Sequence, residues 1–272
     1  MALVEIDDVE IGAPQPGKLR AFTIDAPRIG GRDVYDIEFA GWVLGDGQNV
    51  EEVEIHQAGT VLRRAPLDQQ RSDVARDYPD VPNAGISGFR TWLSVVGLEP
   101  ETTLQIRARL ADGSRVRLGS VSLRHVPVQS GFTPELQPIM LTTMGRAGTT
   151  WTMRLLSEHP EIVVHRWHPY ELRTARYWWH MLKTLSEPRD PHHSGQADRF
   201  QTNKLFVGYN PFYPEPIGVT PGLIEWMGKD YVEDLARFCQ RNAEEAYKRI
   251  AAGQGQTNVK YMAEKHRADN LP

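Results

Sequence analysis

Cysteine is nearly absent: Cys239 stands alone among 272 residues. No internal disulfide can form, and a reducing compartment such as the cytoplasm fits best. Long apolar runs are missing too, since none approaches the roughly 20 residues a membrane-crossing helix needs. The opening MALVEIDDVEIG has no basic stretch leading into an apolar core, so it does not read as a secretory signal. Positive charge is not in excess. Lys and Arg number 31 against 35 Asp and Glu, a net charge of −4 that gives no basis for a general nucleic-acid binder. Local positive charge could still serve a small anion. Internal repeats and low-complexity tracts are lacking as well. What remains, 40% hydrophobic and 24% charged residues, is the composition of a soluble globular protein long enough for two domains.

The first half reads as strands. Segments 21–27, 33–45, 50–65, 88–98 and 102–126 are rich in β-formers with frequent alternation. The last is a hairpin: Leu104, Ile106, Ala108 and Leu110 alternate up to an Asp112-Gly113 turn, and Val116, Leu118, Val121 and Leu123 follow. An apparent slip at Gly119-Ser120 marks a bulge. Residues 67–85 read as a short helix and a proline-broken loop. The expectation for residues 1–128 is an antiparallel β-sandwich, followed by a linker over 129–137.

Beyond the linker the pattern becomes strand, turn, helix, strand, helix, which argues for a parallel sheet with covering helices over 138–272. Met140 and Leu141 lie in a strand, a helix begins near Thr149, and Pro160 follows its end. Residues 161–165 read as a second strand and 170–185 as a second helix. The segment 230–253 is the clearest helix, with Asp230 and Glu233 as a capping-box-like start and Gly253 as its stop. Its apolar face is Val232, Leu235, Phe238, Cys239, Ala246 and Ile250, and 258–265 reads as one more strand. Residues 186–229 carry no assignable pattern.

The stretch QPIMLTTMGRAGTTWTMRLL, from residue 137, holds the chemistry. A strand feeds a glycine-containing turn that opens directly into a helix. The free N–H groups of a helix's first turn, at the positive end of its dipole, attract phosphate or sulfate. Gly145 and Gly148 let backbone amides approach closely, Thr149 and Thr150 add hydroxyl donors, and Arg146 adds a full positive charge. A nucleoside-triphosphate loop would read G-x-x-x-x-G-K-[ST]. Here Thr143 occupies the first glycine position and Thr149 follows Gly148 with no lysine between, so a magnesium-centred triphosphate site is disfavoured.

The turn resembles the 5′-phosphosulfate loop of sulfotransferases, [KR]-x-G-T-[TS]-[WL] between a strand and a helix, matched at Arg146, Gly148, Thr149, Thr150 and Trp151. LSEHPEIVVHRWHPYELR also looks like bacterial members, in which a helix ends at HP and the next strand leads to an acidic residue. The similarity covers about 137–185, with an echo at 259–266. It implies a P-loop-like α/β fold, 3′-phosphoadenylyl sulfate (PAPS) as co-substrate, no metal, and transfer of a sulfuryl group to a hydroxyl or amine. The acceptor would be a carbohydrate or small molecule. By the same resemblance Gly145 through Trp151, with Ala147 among them, would hold the donor, and Arg146 would bind the departing oxygen.

Sulfuryl transfer should resemble phosphoryl transfer in outline, with catalysis mostly by positioning and charge stabilisation. A hydroxyl acceptor also needs a base within reach, and the family uses glutamate or histidine. Glu171 follows the second expected strand, where open α/β sheets place their sites, and is the first choice. His168 is second and His165 third. Tyr177, Trp178 and Trp179 read as core, or as an aromatic platform for the acceptor. His192 and His193 are adjacent in a loop without paired ligand spacing, which does not make a metal site. Lys260, Glu264 and Lys265 could line the site, without assignable roles.

The family also binds the 3′-phosphate of PAPS through a later strand-end arginine and a serine. No such segment occurs before Pro272, so a domain incomplete at its C-terminus is expected. In the first domain, IDAP, FAGWVLG, RSDVARDYPD and ADGSRVRLGSV resemble an accessory β-sandwich module found ahead of bacterial sulfo- and glycosyltransferases. Two alternatives follow: a non-catalytic carbohydrate-binding or interaction protein with a remnant transferase domain, and a P-loop nucleotide-dependent kinase.

Overall fold

A computed structural model describes residues 3–143, 148–186 and 230–267. Of these, 3–127 form one compact unit, and 128–184 with 230–267 form another.

The first unit is β-rich and antiparallel. Its larger sheet has the order β3-β1-β9-β8-β5-β6, built from β1 (Leu3–Ile11), β3 (Arg32–Val34), β5 (Val50–Gln57), β6 (Thr60–Pro66), β8 (Glu101–Leu110) and β9 (Arg115–His125). The smaller sheet, β2-β4-β7, uses β2 (Leu19–Ala26), β4 (Asp36–Gly45) and β7 (Gly88–Ser94). Alternation sends Leu104, Ile106, Ala108 and Leu110 of β8 into the core, opposite Val116, Leu118, Val121 and Leu123 of β9. Burying side chains of this kind contributes about 1.5–3 kcal/mol each. Ile24 of the smaller sheet lies against Gly119 of the larger: a Cβ there would come within 3.0 Å of Ile24 Cδ1 and 2.3 Å of Glu10 O. The bulge falls at Leu118, one residue before the expected slip, since Ile106 pairs with Gly119 and Arg107 with Arg117.

Two features of this unit differ from the sequence reading. Residues 50–65 are a hairpin, turning at Ala58 (φ 48°) and Gly59 (φ 85°), both left-handed. Residues 3–11 are a strand that pairs with both β3 and β9. The helical part of 67–85 is α1 (Ser72–Asp77), with a short 3-10 turn at Ala84–Ile86.

The second unit is built on a small parallel sheet of order β10-β12-β11, from β10 (Gln137–Thr143), β11 (Ile162–Val163) and β12 (Tyr261–Arg267). Helix α2 (Thr149–Ser157) covers one face, where Met153 packs with Val164 and Ala263. Helix α4 (Tyr231–Gly253) covers the other, where Tyr247 and Ala251 pack with Leu136, Val163 and Met262. Helix α3 (Thr174–Ser186) starts later than expected, after Tyr170 in a left-handed conformation (φ 63°). The buried stripe of α4 is Val232, Ala236, Cys239, Ala243, Tyr247 and Ala251, leaving Phe238 exposed and Leu235 and Ala246 half-buried. Tyr247 and Ala251 make the packing against the sheet, while Ala236, Cys239 and Ala243 line a cavity beside it. Asp230 sits at the N-cap of α4 without a side-chain capping bond. The expected linker is tied down: Glu244 Oε2 accepts from the amides of Glu135 (2.7 Å) and Leu136 (3.1 Å), and Arg237 Nε donates to Ser130 O (2.6 Å).

Candidate functional site

Parallel pairing brings the carboxyl ends of β10 and β12 side by side, with Leu141 opposite Lys265 and Thr142 opposite His266. Ligand sites of open α/β sheets gather at such ends. Gly148 is the N-cap of α2, with φ 73° and ψ 11°. This conformation explains the glycine, because an L side chain there is strained. A Cβ on Gly148 would meet nothing within 4 Å, so space opens above the cap. The first amides to bond within the helix are those of Trp151 and Thr152, both to Gly148 O (3.0 and 3.1 Å). The amides of Thr149 and Thr150 precede them, and helix geometry directs these outward from the end. Gly145, Arg146 and Ala147 lie outside the described residues.

Beside this helix end sits a lysine that sequence reasoning left without a role. Lys265 is only 6% exposed; its Nζ donates to Thr150 Oγ1 (2.7 Å) and lies 3.1 Å from Glu171 Oε1. Arg173 holds the other carboxylate oxygen of Glu171 at 3.1 Å. Burial pushes the Glu171 carboxyl up, but the bond and charge of Lys265, then Arg173, outweigh it and hold the group below its ordinary value. Glu171 is therefore an ionised acceptor at neutral pH, with 37% of its side chain open to solvent. A hydroxyl, an ammonium and a carboxylate thus meet beside the amide end of a helix.

β12 is the middle strand of the sheet, and its alternation sends neighbouring charges to opposite faces. Ala263 and Lys265 face α2; Met262 and Glu264 face α4. Glu264 is 2% exposed and accepts three bonds: from Tyr247 Oη (2.6 Å), the Ala175 amide (2.9 Å) and His266 Nε2 (3.0 Å). Burial and the adjoining Glu264 carboxylate push the Tyr247 phenol far up, so it stays protonated and donates.

Of the other expected residues, Thr149 is half-buried at the start of α2, while the Trp151 ring is 68% exposed and turned outward. His168 is exposed and His165 half-buried, and neither joins the bonds around Lys265. Lys260 pairs with Glu161 near the opposite end of the sheet. His192 and His193 lie outside the described residues. Trp178 and Trp179 line a cavity of about 340 Å³ on the α4 side, with Pro138, Met140, Met262 and Cys239. Trp178 packs edge-on against Tyr177 (5.4 Å) and Phe238 (5.9 Å).

One sequence signal marks Glu264 and Lys265, which the sequence left without roles, and adds His266 to them. A central parallel strand, covered on both faces, should be a continuous apolar run. Glu264-Lys265-His266 interrupts that run with three buried polar side chains. Comparison with protein-family models and with curated proteins finds no match to this chain.

Proposed function

We propose that the second unit binds PAPS at the start of α2 and transfers its sulfuryl group to a hydroxyl or amine of a carbohydrate or small-molecule acceptor. The observation that carries this reading is the cluster at the α2 amide end, where Lys265 meets Thr150 and Glu171. An anionic donor suits the Gly148 cap, with its open space, outward amides and adjacent ammonium. The nucleoside-triphosphate loop carries its lysine just before the hydroxyl residue; here a lysine from the neighbouring strand reaches the Thr150 hydroxyl instead.

PAPS supplies a sulfuryl group on a phosphate leaving group: the S–O bond to that phosphate breaks, and its electron pair departs with the bridging oxygen. A new bond forms from sulfur to the acceptor, S–O for a hydroxyl or S–N for an amine, and the acceptor's proton passes to Glu171. Lys265 and Arg146 would offset the charge growing on the leaving oxygen. Glu171 is ionised and partly open to solvent, as a proton acceptor at neutral pH must be.

Calorimetry with 3′,5′-adenosine bisphosphate, magnesium ATP and oligosaccharides separates the possibilities. The expected result is binding of the bisphosphate that Lys265→Met weakens by about tenfold or more. Arg146→Ala should slow sulfuryl transfer more than it weakens bisphosphate binding. Binding of ATP alone, or of oligosaccharide alone, would overturn the proposal.

A further inference from the structure

We infer that Glu264 is a positioning residue: by accepting the Ala175 amide at the start of α3, it fixes residues 171–175 so that Glu171 stays against Lys265. The inference rests on Glu171 being the base, but its test reads geometry alone. Residues 264 and 265 are neighbours on the middle strand, yet they hold the same short segment from opposite faces of the sheet. Glu264 takes the Ala175 amide at 2.9 Å, and Lys265 meets Glu171 at 3.1 Å. Tyr247 from α4 and His266 from β12 complete the bonds to the Glu264 carboxylate and fix its rotamer. Glu264 is 2% exposed and Tyr247 wholly buried, so the anchor is enclosed, whereas Glu171 is 37% exposed and depends on its segment for its place. Isolated from substrate, Glu264 is no catalytic group; it acts through the backbone of Ala175.

The sign of a titration shift separates positioning from charge. Removing a negative charge cannot by itself make Glu171 harder to ionise, so a change of charge alone leaves its midpoint unchanged or lower. Losing the anchor does the opposite, because Glu171 leaves Lys265. The experiment follows the Glu171 side-chain carboxyl by carbon NMR across pH, with Glu171→Gln identifying the signal. Glu264→Gln keeps an acceptor oxygen for Ala175, and the midpoint should fall or stay. Glu264→Ala removes the acceptor, and the midpoint should rise toward the ordinary carboxylate value. Glu264→Asp keeps the charge but withdraws the oxygen by one methylene; it should also raise the midpoint, and it stands in if Glu264→Ala does not fold. Hydrogen exchange at the Ala175 amide should quicken by about tenfold in Glu264→Asp and remain near wild type in Glu264→Gln. A midpoint that falls or stays in Glu264→Asp and Glu264→Ala would overturn the inference. If the midpoint rises but no sulfuryl transfer is found, positioning stands and the enzymatic reading fails.

Discussion

The Lys265–Glu171 pair should respond unequally to removal of its two members. Lys265 is 6% exposed, so Glu171→Ala strands a buried ammonium beside the neutral Thr150 hydroxyl. Breaking a fully buried pair this way costs about 3–5 kcal/mol. Glu171 is 37% exposed, which screens the pair and reduces the expected loss to about 2 kcal/mol. Lys265→Met is different. The abandoned Glu171 keeps Arg173 at 3.1 Å and can turn to water, while methionine fills the lysine stem's space. That loss should be about 0–1 kcal/mol. The double variant should recover about 1 kcal/mol of the Glu171→Ala cost, because no buried charge remains. Urea unfolding followed by tryptophan fluorescence gives all three numbers. The pH dependence has a fixed sign. The folded state holds the Glu171 carboxyl below its unfolded value, so its contribution is present at neutral pH and fades as pH falls through the folded value. The gap between wild type and Glu171→Ala should accordingly narrow between about pH 7 and about pH 3. Equal losses for the two single variants, or strictly additive losses in the double variant, would refute the reasoning.

Tyr247→Phe removes one of three donors from the buried Glu264 carboxylate and should cost about 1.5–3 kcal/mol in urea unfolding. Gly41→Ala places a Cβ 2.1 Å from Thr23 O and 3.0 Å from the Phe89 ring, between β2 and β7. It should destabilise the first unit by about 3 kcal/mol, seen as a lowered melting temperature, and a neutral outcome would contradict the β2–β4–β7 register. Cys239 is buried, and burial pushes its thiol up to about 11. Native protein at about pH 8 should react with a thiol reagent far more slowly than unfolded protein, the contrast vanishing in denaturant.

Segments whose local chemistry agrees with their place in the fold were legible. The β8–β9 hairpin combines strict alternation with an Asp112-Gly113 turn, and the α4 boundaries follow from Asp230 and Gly253 to within a residue. The β5–β6 hairpin was not legible, because its two-residue loop requires left-handed backbone at both positions and offers Ala58-Gly59. Asn-Gly or Asp-Gly is the readable form of that turn, and with alanine first the segment passes for one strand. β1 was obscured differently: its principal partner, β9, lies at the far end of the unit's sequence, pairing Val4 with His125. The rotation of the α4 face has a packing cause. Apolarity favours Phe238 and Leu235, whereas the inward face carries Ala236 and Ala243, which line the cavity shared with Trp178 and Trp179. At the candidate site, the loop glycine and Glu171 were readable from local pattern. Lys265 could be named as a lining residue but not given a role, since it is separated from Thr150 by 115 positions and only β10–β12 pairing unites them.

Buried charge alone would have been a poor guide to this site, because the first unit has a cluster of the same kind. Glu54 is fully buried, bonded to His56 Nε2 (2.8 Å) and Arg115 Nε (2.6 Å). Burial raises the Glu54 carboxyl, and Arg115 with His56 more than reverses that, as Lys265 and Arg173 do for Glu171. The two clusters differ in access. Glu54 and His56 are 0% and 3% exposed, so no substrate atom reaches either one. Glu54 and His56 share β5, a strand paired on both sides, by β6 and β8, so its backbone groups are already satisfied by the ladder. Glu171 is partly open, and its lysine touches the first turn of a helix whose leading amides have no partner within the helix. A cluster whose carboxylate and imidazole are both enclosed, with only its arginines reaching solvent, contributes to stability and register. One that shares a cation with an unfinished helix end can exchange that cation with an arriving anion, and this is the physical basis for proposing an anion site in the second unit.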